Sequence, residues 1–393
     1  MTRAPLVLLV LGACASSRGR LEADVVFARY SPLSRTAEVA RRALPPLTYR
    51  RIQETVAAGK RRLSEQAIDL ARERFDIYVP SGAPPPAGYG LVVFVAPWPD
   101  PTRPQAWRAP LDRHGLVFVS AQNSGNDMHV LDRRVPLALL AYENVHARFP
   151  IDDRRIYVMG FSGGSRVAEI AALAYPDVFR GAVLNAGADP IDGQVGIYKP
   201  PADLFRAFQR SRLVYITGSE DEGNLRQDEV SRASLRSACV LDVETRAALR
   251  LGHQALDSSS LDAALDALEE PRAVDAAELA RCNARVEREI AAELTRAAAA
   301  IARGDRDGAR RLIKAIDARF GGLAARGILA LDARLRSRRE PRRLDRATGA
   351  RSGRPGPAAT GGALAGRDRG GGAGGGRGVL AGQVDLAGVP EGR

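Results

Sequence analysis

The sequence predicts an α/β fold: a mostly parallel sheet with helices on both faces, over about residues 71–270. Three observations predict it. From residue 74 onward, short apolar runs alternate with stretches of helical spacing. Several of these runs are apolar at every position, as a strand covered on both faces requires. One run passes through a Gly-rich turn containing a serine and opens directly into a helix.

Taken in order, residues 75–80 (Phe-Asp-Ile-Tyr-Val-Pro) alternate with period two and read as a strand, and the Pro- and Gly-rich stretch that follows is a turn. Residues 91–96 and 115–120 are continuous apolar strands, and 135–148 has helical spacing. Residues 155–159 form a strand and 163–175 a helix. Three more strands are predicted at 181–185, 213–217 and 239–243. Beyond them the character changes. Residues 271–340 are rich in Ala, Leu, Glu and Arg and carry no strand signal; helices are expected at 281–303 and 309–320, joined at Gly304 to Gly308. This reads as a helical appendage. From 341 to 393 the chain is rich in Gly and Arg, holding 16 of its 39 glycines beyond Ala347, and is expected to lack a packed core.

The formal charge of +12 invites a nucleic-acid reading, but its location argues against one. Arg334 to Arg393 contain 13 Arg against 5 acidic residues, a net of +8, which leaves +4 for the other 333 residues. No basic helix or aromatic-interleaved patch appears in the domain, so no nucleic-acid partner is expected. No internal run reaches the ~18 apolar residues of a membrane-spanning helix. The N-terminus is different: a short basic region, the apolar run Leu6 to Leu11, then Gly12-Ala13-Cys14, the layout of a secretory signal. Leu11-Gly12-Ala13-Cys14 resembles the bacterial lipobox, in which the cysteine is acylated. The expectation is therefore a lipoprotein-type signal over 1–14, an N-terminal segment over 15–70, and an exported chain held to a membrane through a lipid on Cys14. Export would leave Cys239 and Cys282 in an oxidising compartment, where they are either a disulfide or two buried thiols.

Gly160-Phe161-Ser162-Gly163-Gly164 matches the G-x-S-x-G nucleophile elbow, between a strand and a helix. Such a turn is tight; glycines on either side of the serine avoid clashes, Oγ is left exposed, and the Gly163 amide points to where an oxyanion develops. A nucleophilic serine needs a base, and the base needs an acid. The expected chain order is Ser, acid, His. Asp221, in Thr217-Gly-Ser-Glu-Asp221 after a strand, is the chosen acid, with Glu220 as the alternative and Asp228 after it. The chain has four His. His114, His129 and His146 precede the serine; His253 follows the last predicted strand and is the chosen base.

With these residues in hand, the stretch 74–270 resembles the α/β-hydrolase superfamily, in its esterase and polyhydroxybutyrate-depolymerase-like or predicted-peptidase branch. The resemblance is carried by the elbow and its flank Asp153-Arg-Arg-Ile-Tyr-Val-Met159, by Tyr175-Pro-Asp-Val-Phe-Arg-Gly181, by Thr217 to Asp221 and by Leu251-Gly-His253. It implies an α/β-hydrolase fold and cleavage of a carboxylic ester, less readily an amide, through an acyl-enzyme. One departure stands out. The branch usually carries His-Gly after the third strand, where an amide completes the oxyanion hole; here Pro97-Trp98-Pro99 follows. Neither proline has an N–H, so Trp98 is the expected second donor, and its ring a candidate for the substrate pocket. Asn123 and Asn126, beyond the strand ending at Ser120, are candidates for substrate binding or simply a turn. The scattered His and Cys lack metal-ligand spacing, and no cofactor is expected. A non-catalytic surface lipoprotein using the same fold for binding is the alternative reading.

Overall fold

The computed structural model describes residues 19–102 and 105–337. The signal-like segment with Cys14 and the stretch 341–393 lie outside the described residues. In chain order the elements are β1 (Arg20–Val25), α1 (Thr36–Ala43), α2 (Pro46–Ala57), β2 (Phe75–Val79), β3 (Tyr89–Val95), α3 (Arg108–His114), β4 (Leu116–Ala121), α4 (Val135–Arg148), β5 (Ile151–Phe161), α5 (Gly163–Ala174), β6 (Gly181–Asn185), α6 (Ala202–Phe208), β7 (Arg212–Gly218), α7 (Glu222–Ser237), β8 (Val243–Ala248), α8 (Ser258–Glu269), α9 (Ala276–Ala302), α10 (Arg306–Phe320) and α11 (Ala325–Ser337).

The strands form one sheet of eight in the order β1-β2-β4-β3-β5-β6-β7-β8. β1 and β2 run antiparallel to their neighbours, and every other pair is parallel. The apolar runs explain why both faces are covered. Successive side chains of a strand point to opposite faces. Leu91, Val93 and Val95 of β3 join the core beneath α4 and α5, while Val92 and Phe94 join a second core beneath α3 and α8. β4 divides in the same way: Val117 and Val119 on one side, Leu116 and Phe118 on the other.

Two features differ from the sequence reading. The last strand is Val243–Ala248, not 239–243. Cys239 takes a left-handed φ of 67° at the end of α7, and it and Val240 are buried against helices rather than within the sheet. The true strand pairs on one side only, with β7, and its Glu, Thr and Arg give it little apolar signal. The second difference lies in the described part of the N-terminal segment: Arg20–Val25 adds a strand beside β2, and α1 and α2 follow it.

The helical region is a three-helix unit, α9 to α11, around Val286, Ile301, Ile313, Ile316, Phe320, Ile328 and Leu331. Cys239 and Cys282 are joined in a disulfide with Cα atoms 5.7 Å apart, which ties the β7–β8 connection to α9. At the other end, Arg50 of α2 pairs with Asp332 of α11, and the Leu47 amide donates to Asp317 of α10. Buried Lys199 donates to the Ile191 and Arg319 carbonyls, the latter at the end of α10. Among the described residues, no helix is long and apolar enough to cross a membrane.

Candidate active site

Ser162 sits between β5 and α5 with φ 54° and ψ −123°, a conformation that L-residues adopt only under constraint. Its neighbours supply the constraint. The Ser162 amide donates to the Asn185 carbonyl at the end of β6, at 2.8 Å. A Cβ on Gly164 would lie 2.0 Å from the Val95 carbonyl oxygen, and one on Gly160 would lie 2.2 Å from the Gly164 carbonyl oxygen. Only glycines let the start of α5 press against the end of β3 this closely. The turn leaves Oγ part-exposed, and the Gly163 amide, first of the helix, has no acceptor within it.

Three loops at the same end of the sheet meet here. The loop after β8 brings His253 Nε2 to 2.9 Å from Ser162 Oγ. His253 Nδ1 lies 2.7 Å from Asp221 Oδ2, in the loop after β7. The Asp221 side chain is 9% exposed and the His253 side chain 47%. Asp221 has a second, local task as N-cap of α7, where Oδ1 accepts from the Asn224 amide. Capping thus occupies one carboxylate oxygen and leaves the other facing the imidazole. Burial pushes the Asp221 carboxyl up. Hydrogen bonds from His253 and from the Asn224 side chain and amide outweigh burial and hold it below the usual carboxylate value.

The alternative acids are elsewhere. Glu220 is exposed, with its amide on the Leu251 carbonyl. Asp228 is buried and accepts from Thr217 Oγ1 and the Ala188 amide; burial raises it to about 6. Two of the other His bond away from Ser162: His114 meets Glu269, and His146 meets Asp153.

The loop after β3 is built by packing. The Asn126 amide donates to the Pro97 carbonyl at 3.0 Å and the Asn123 amide to the Pro99 carbonyl at 2.6 Å, so the loop after β4 clamps Pro97-Trp98-Pro99. Among the described residues, no acceptor is bonded to the Trp98 amide. Asn123, at φ 50°, forms the turn, and its carbonyl accepts from Arg133 Nε. Asn126 is exposed, and its side chain abuts Gly163: Oδ1 lies 2.0 Å from where a Cβ on that glycine would be. The Trp98 ring rests on Phe161 at 5.9 Å, and Phe161 lies 5.0 Å from the His253 ring, giving an apolar wall beside the serine.

Three contributors escaped the sequence reading. Phe161 was visible only as the variable position of the elbow. Arg134, 1% exposed, donates to the Ser124 and Ala96 carbonyls at 2.8 and 2.9 Å and so holds both loops; burial pushes its guanidinium down to about 10. Its neighbours Asp132 and Arg133 make it read as surface. Asn224 has no motif around it. Among the described residues, no group of three or more His, Cys, Asp or Glu is placed to hold a metal ion.

Among solved structures, the chain is similar to an S-formylglutathione hydrolase from Staphylococcus aureus, at 15% identity over 49% of this chain and 89% of that one, with a TM-score of 0.36. It is similar to a poly(3-hydroxybutyrate) depolymerase from Bordetella parapertussis, at 17% identity over 53% and 88% with a TM-score of 0.39. It is also similar to an acetyl xylan esterase from Aspergillus awamori, at 14% over 51% and 96% with a TM-score of 0.37. No family model and no curated protein matches the chain. Its own topology is enough to name the architecture: an antiparallel second strand, the exchange of β3 and β4, parallel strands beyond, and a strained serine turn after β5. The chain has the α/β-hydrolase fold.

Proposed function

We propose that the protein is a serine hydrolase of the esterase type within the α/β-hydrolase superfamily, cleaving a carboxylic ester through an acyl-enzyme. The observation that carries this reading is the continuous chain from Ser162 Oγ through His253 to Asp221, at 2.9 and 2.7 Å. Asp221 can only accept at this site, so it draws the proton of the neutral imidazole to Nδ1 and leaves Nε2 free to receive the Ser162 proton. Ser162 Oγ attacks the ester carbonyl as His253 takes its proton. The Gly163 and Trp98 amides donate to the oxyanion, and His253 then gives the proton to the leaving alkoxide. Water deacylates Ser162 by the same route. Asn126, against Gly163, and the Trp98–Phe161 wall are the proposed contacts of the acyl or alcohol part, with Asn123 shaping the loop that carries Asn126.

The reading also includes export and anchoring at an acylated Cys14. The Cys239–Cys282 disulfide supports this, because such bonds persist in oxidising compartments. A fluorophosphonate probe tests the chemistry: the wild type should be labelled and Ser162→Ala should not. An unlabelled, folded wild type that also leaves p-nitrophenyl esters intact would favour the non-catalytic binding reading instead.

A further inference from the structure

Behind the Asp221 carboxylate stands a side chain that the proposed mechanism does not use. Asn224 Nδ2 lies 2.8 Å from Asp221 Oδ2 and 3.1 Å from Oδ1, and 3.0 Å from His253 Nδ1. The other end of the carboxamide is held from a different element: Arg166 Nη2 donates to Asn224 Oδ1 at 3.3 Å. These partners fix which way the amide points, since a guanidinium only donates and a carboxylate only accepts. Arg166 belongs to α5, the helix that begins just after Ser162, and its Nε pairs with Asp189 at 3.3 Å. The space where Arg166 meets Asn224 exists because residue 187 is glycine, at φ 123°. A Cβ there would lie 2.6 Å from Asn224 Oδ1 and 2.8 Å from Arg166 Nη1. The charged and titratable groups around the carboxamide are therefore Asp221 on its own helix, Arg166 on α5 with Asp189 behind it, and His253 on the loop after β8.

We infer that Asn224 is a positioning residue for the Ser162, His253 and Asp221 chemistry, locking the Asp221 carboxylate to the nucleophile helix through Arg166. The inference rests on the reading of the site as a serine hydrolase. A carboxylate on an Asp side chain can rotate about its Cβ–Cγ bond. Asp221 is held against this by the single Asn224 Nδ2, which lies within hydrogen-bond reach of both oxygens, while its capping of α7 fixes only Oδ1. The carboxamide itself is stopped by Arg166. The acid and the nucleophile come from loops far apart in sequence, and the Arg166–Asn224 bond is a direct side-chain tie between the elements that carry them. Asn224 meets His253 at Nδ1 and not at the Nε2 that faces Ser162; it acts by keeping Asp221 Oδ2 opposite Nδ1.

Asn224→Leu removes the donors at similar volume, and residue 224 is only half-buried, so the fold should survive. A loss of orientation on the order of 1 Å costs roughly 10²-fold in turnover. The variant should therefore lower kcat at least about tenfold with KM within about twofold and an unchanged melting temperature. Arg166→Met should move kcat in the same direction by less, because the Asn224 donors remain. The decisive readout does not need turnover. In 15N spectra of the neutral His253 ring, the wild type should show the Nδ1–H tautomer, and Asn224→Leu should shift the ring toward a mixture with the Nε2–H form. An unchanged tautomer in Asn224→Leu would overturn the inference whether or not the protein cleaves esters. Loss of probe labelling and esterase activity in the wild type would instead fall on the hydrolase reading. A folded Asn224→Leu protein with kcat within twofold of wild type would also overturn the inference.

Discussion

Glu169 lies in α5, fully buried behind the serine turn, and its replacement by Gln should stabilise the protein at neutral pH. The Asp189 amide donates to Glu169 Oε2 at 2.8 Å. The Ser231 hydroxyl lies 3.1 Å from Oε1, 3.0 Å from the Asp189 carbonyl and 2.7 Å from Tyr215 OH. Ser231 has one proton. If it goes to the Asp189 carbonyl, which can only accept, then Glu169 must itself be protonated to complete the bond at Oε1. Burial agrees, pushing the carboxyl from 4.5 to about 8. A raised folded-state value means that folding takes up a proton. The favourable contribution is whole below 4.5, falls as pH rises, and is gone above about 8. The slope is about 1.4 kcal/mol per pH unit, so the wild type should lose roughly 2–3 kcal/mol between pH 5 and pH 7 from this group alone. Gln is neutral at every pH and can place its carbonyl on the Asp189 amide and its NH₂ on Ser231. Asp228 and Asp317, both raised to about 6 by burial, titrate in both proteins and cancel in the comparison. Urea unfolding at pH 5, 6, 7 and 8 measures the difference. Parallel curves for the two proteins, or a Gln variant that is less stable throughout, would refute a neutral Glu169.

The other expectations concern the site and its attachment. Ser162→Ala and His253→Ala should each remove several powers of ten of turnover on a p-nitrophenyl ester, with the double variant little worse, because the three side chains act as a unit. Asp221→Asn should be far more damaging than Glu220→Gln, since of these two acids it is Asp221 whose carboxylate meets His253; the reverse order in kcat would mean the acid is misassigned. Trp98→Ala keeps the backbone donor and should raise KM more than it lowers kcat, whereas Trp98→Pro removes the donor and should cost on the order of 10²–10³ in kcat. Cys282→Ser opens the link between the β7–β8 connection and α9 and should lower unfolding free energy by about 2–4 kcal/mol, measured against oxidised wild type. Reduced wild type should match the variant.

The central sheet could be read from sequence because both of its faces are buried. Leu91 to Val95 and Leu116 to Val119 are apolar at consecutive positions, as strands covered on both faces require. The edges could not be read that way. β8 faces one neighbour and carries Glu244, Thr245 and Arg246, while the apolar residues just before it, Cys239 and Val240, serve the packing at the end of α7. β1 is short, polar and antiparallel, and its partners in β2 are at least 50 residues away in the chain. Propensity does not report pairing over that distance.

The site divides along the same line. Ser162 announced itself because the elbow is a local device: strand, glycines and helix must be contiguous for the backbone to hold that turn. His253 followed by elimination among four His, and Asp221 by its place after a strand. What holds those residues in register left no such trace. Arg134 is spaced by 38 residues from Ala96, whose carbonyl it binds, and Asn224 by 58 from Arg166. Each is a polar residue in a polar stretch, and each becomes meaningful only when the fold sets a carbonyl or a carboxylate opposite it. Reacting groups are constrained by local backbone geometry and by chemical type, so they leave a pattern in the sequence. The groups that position them are constrained by three-dimensional neighbours alone, and for those the structure is the first place where the signal exists.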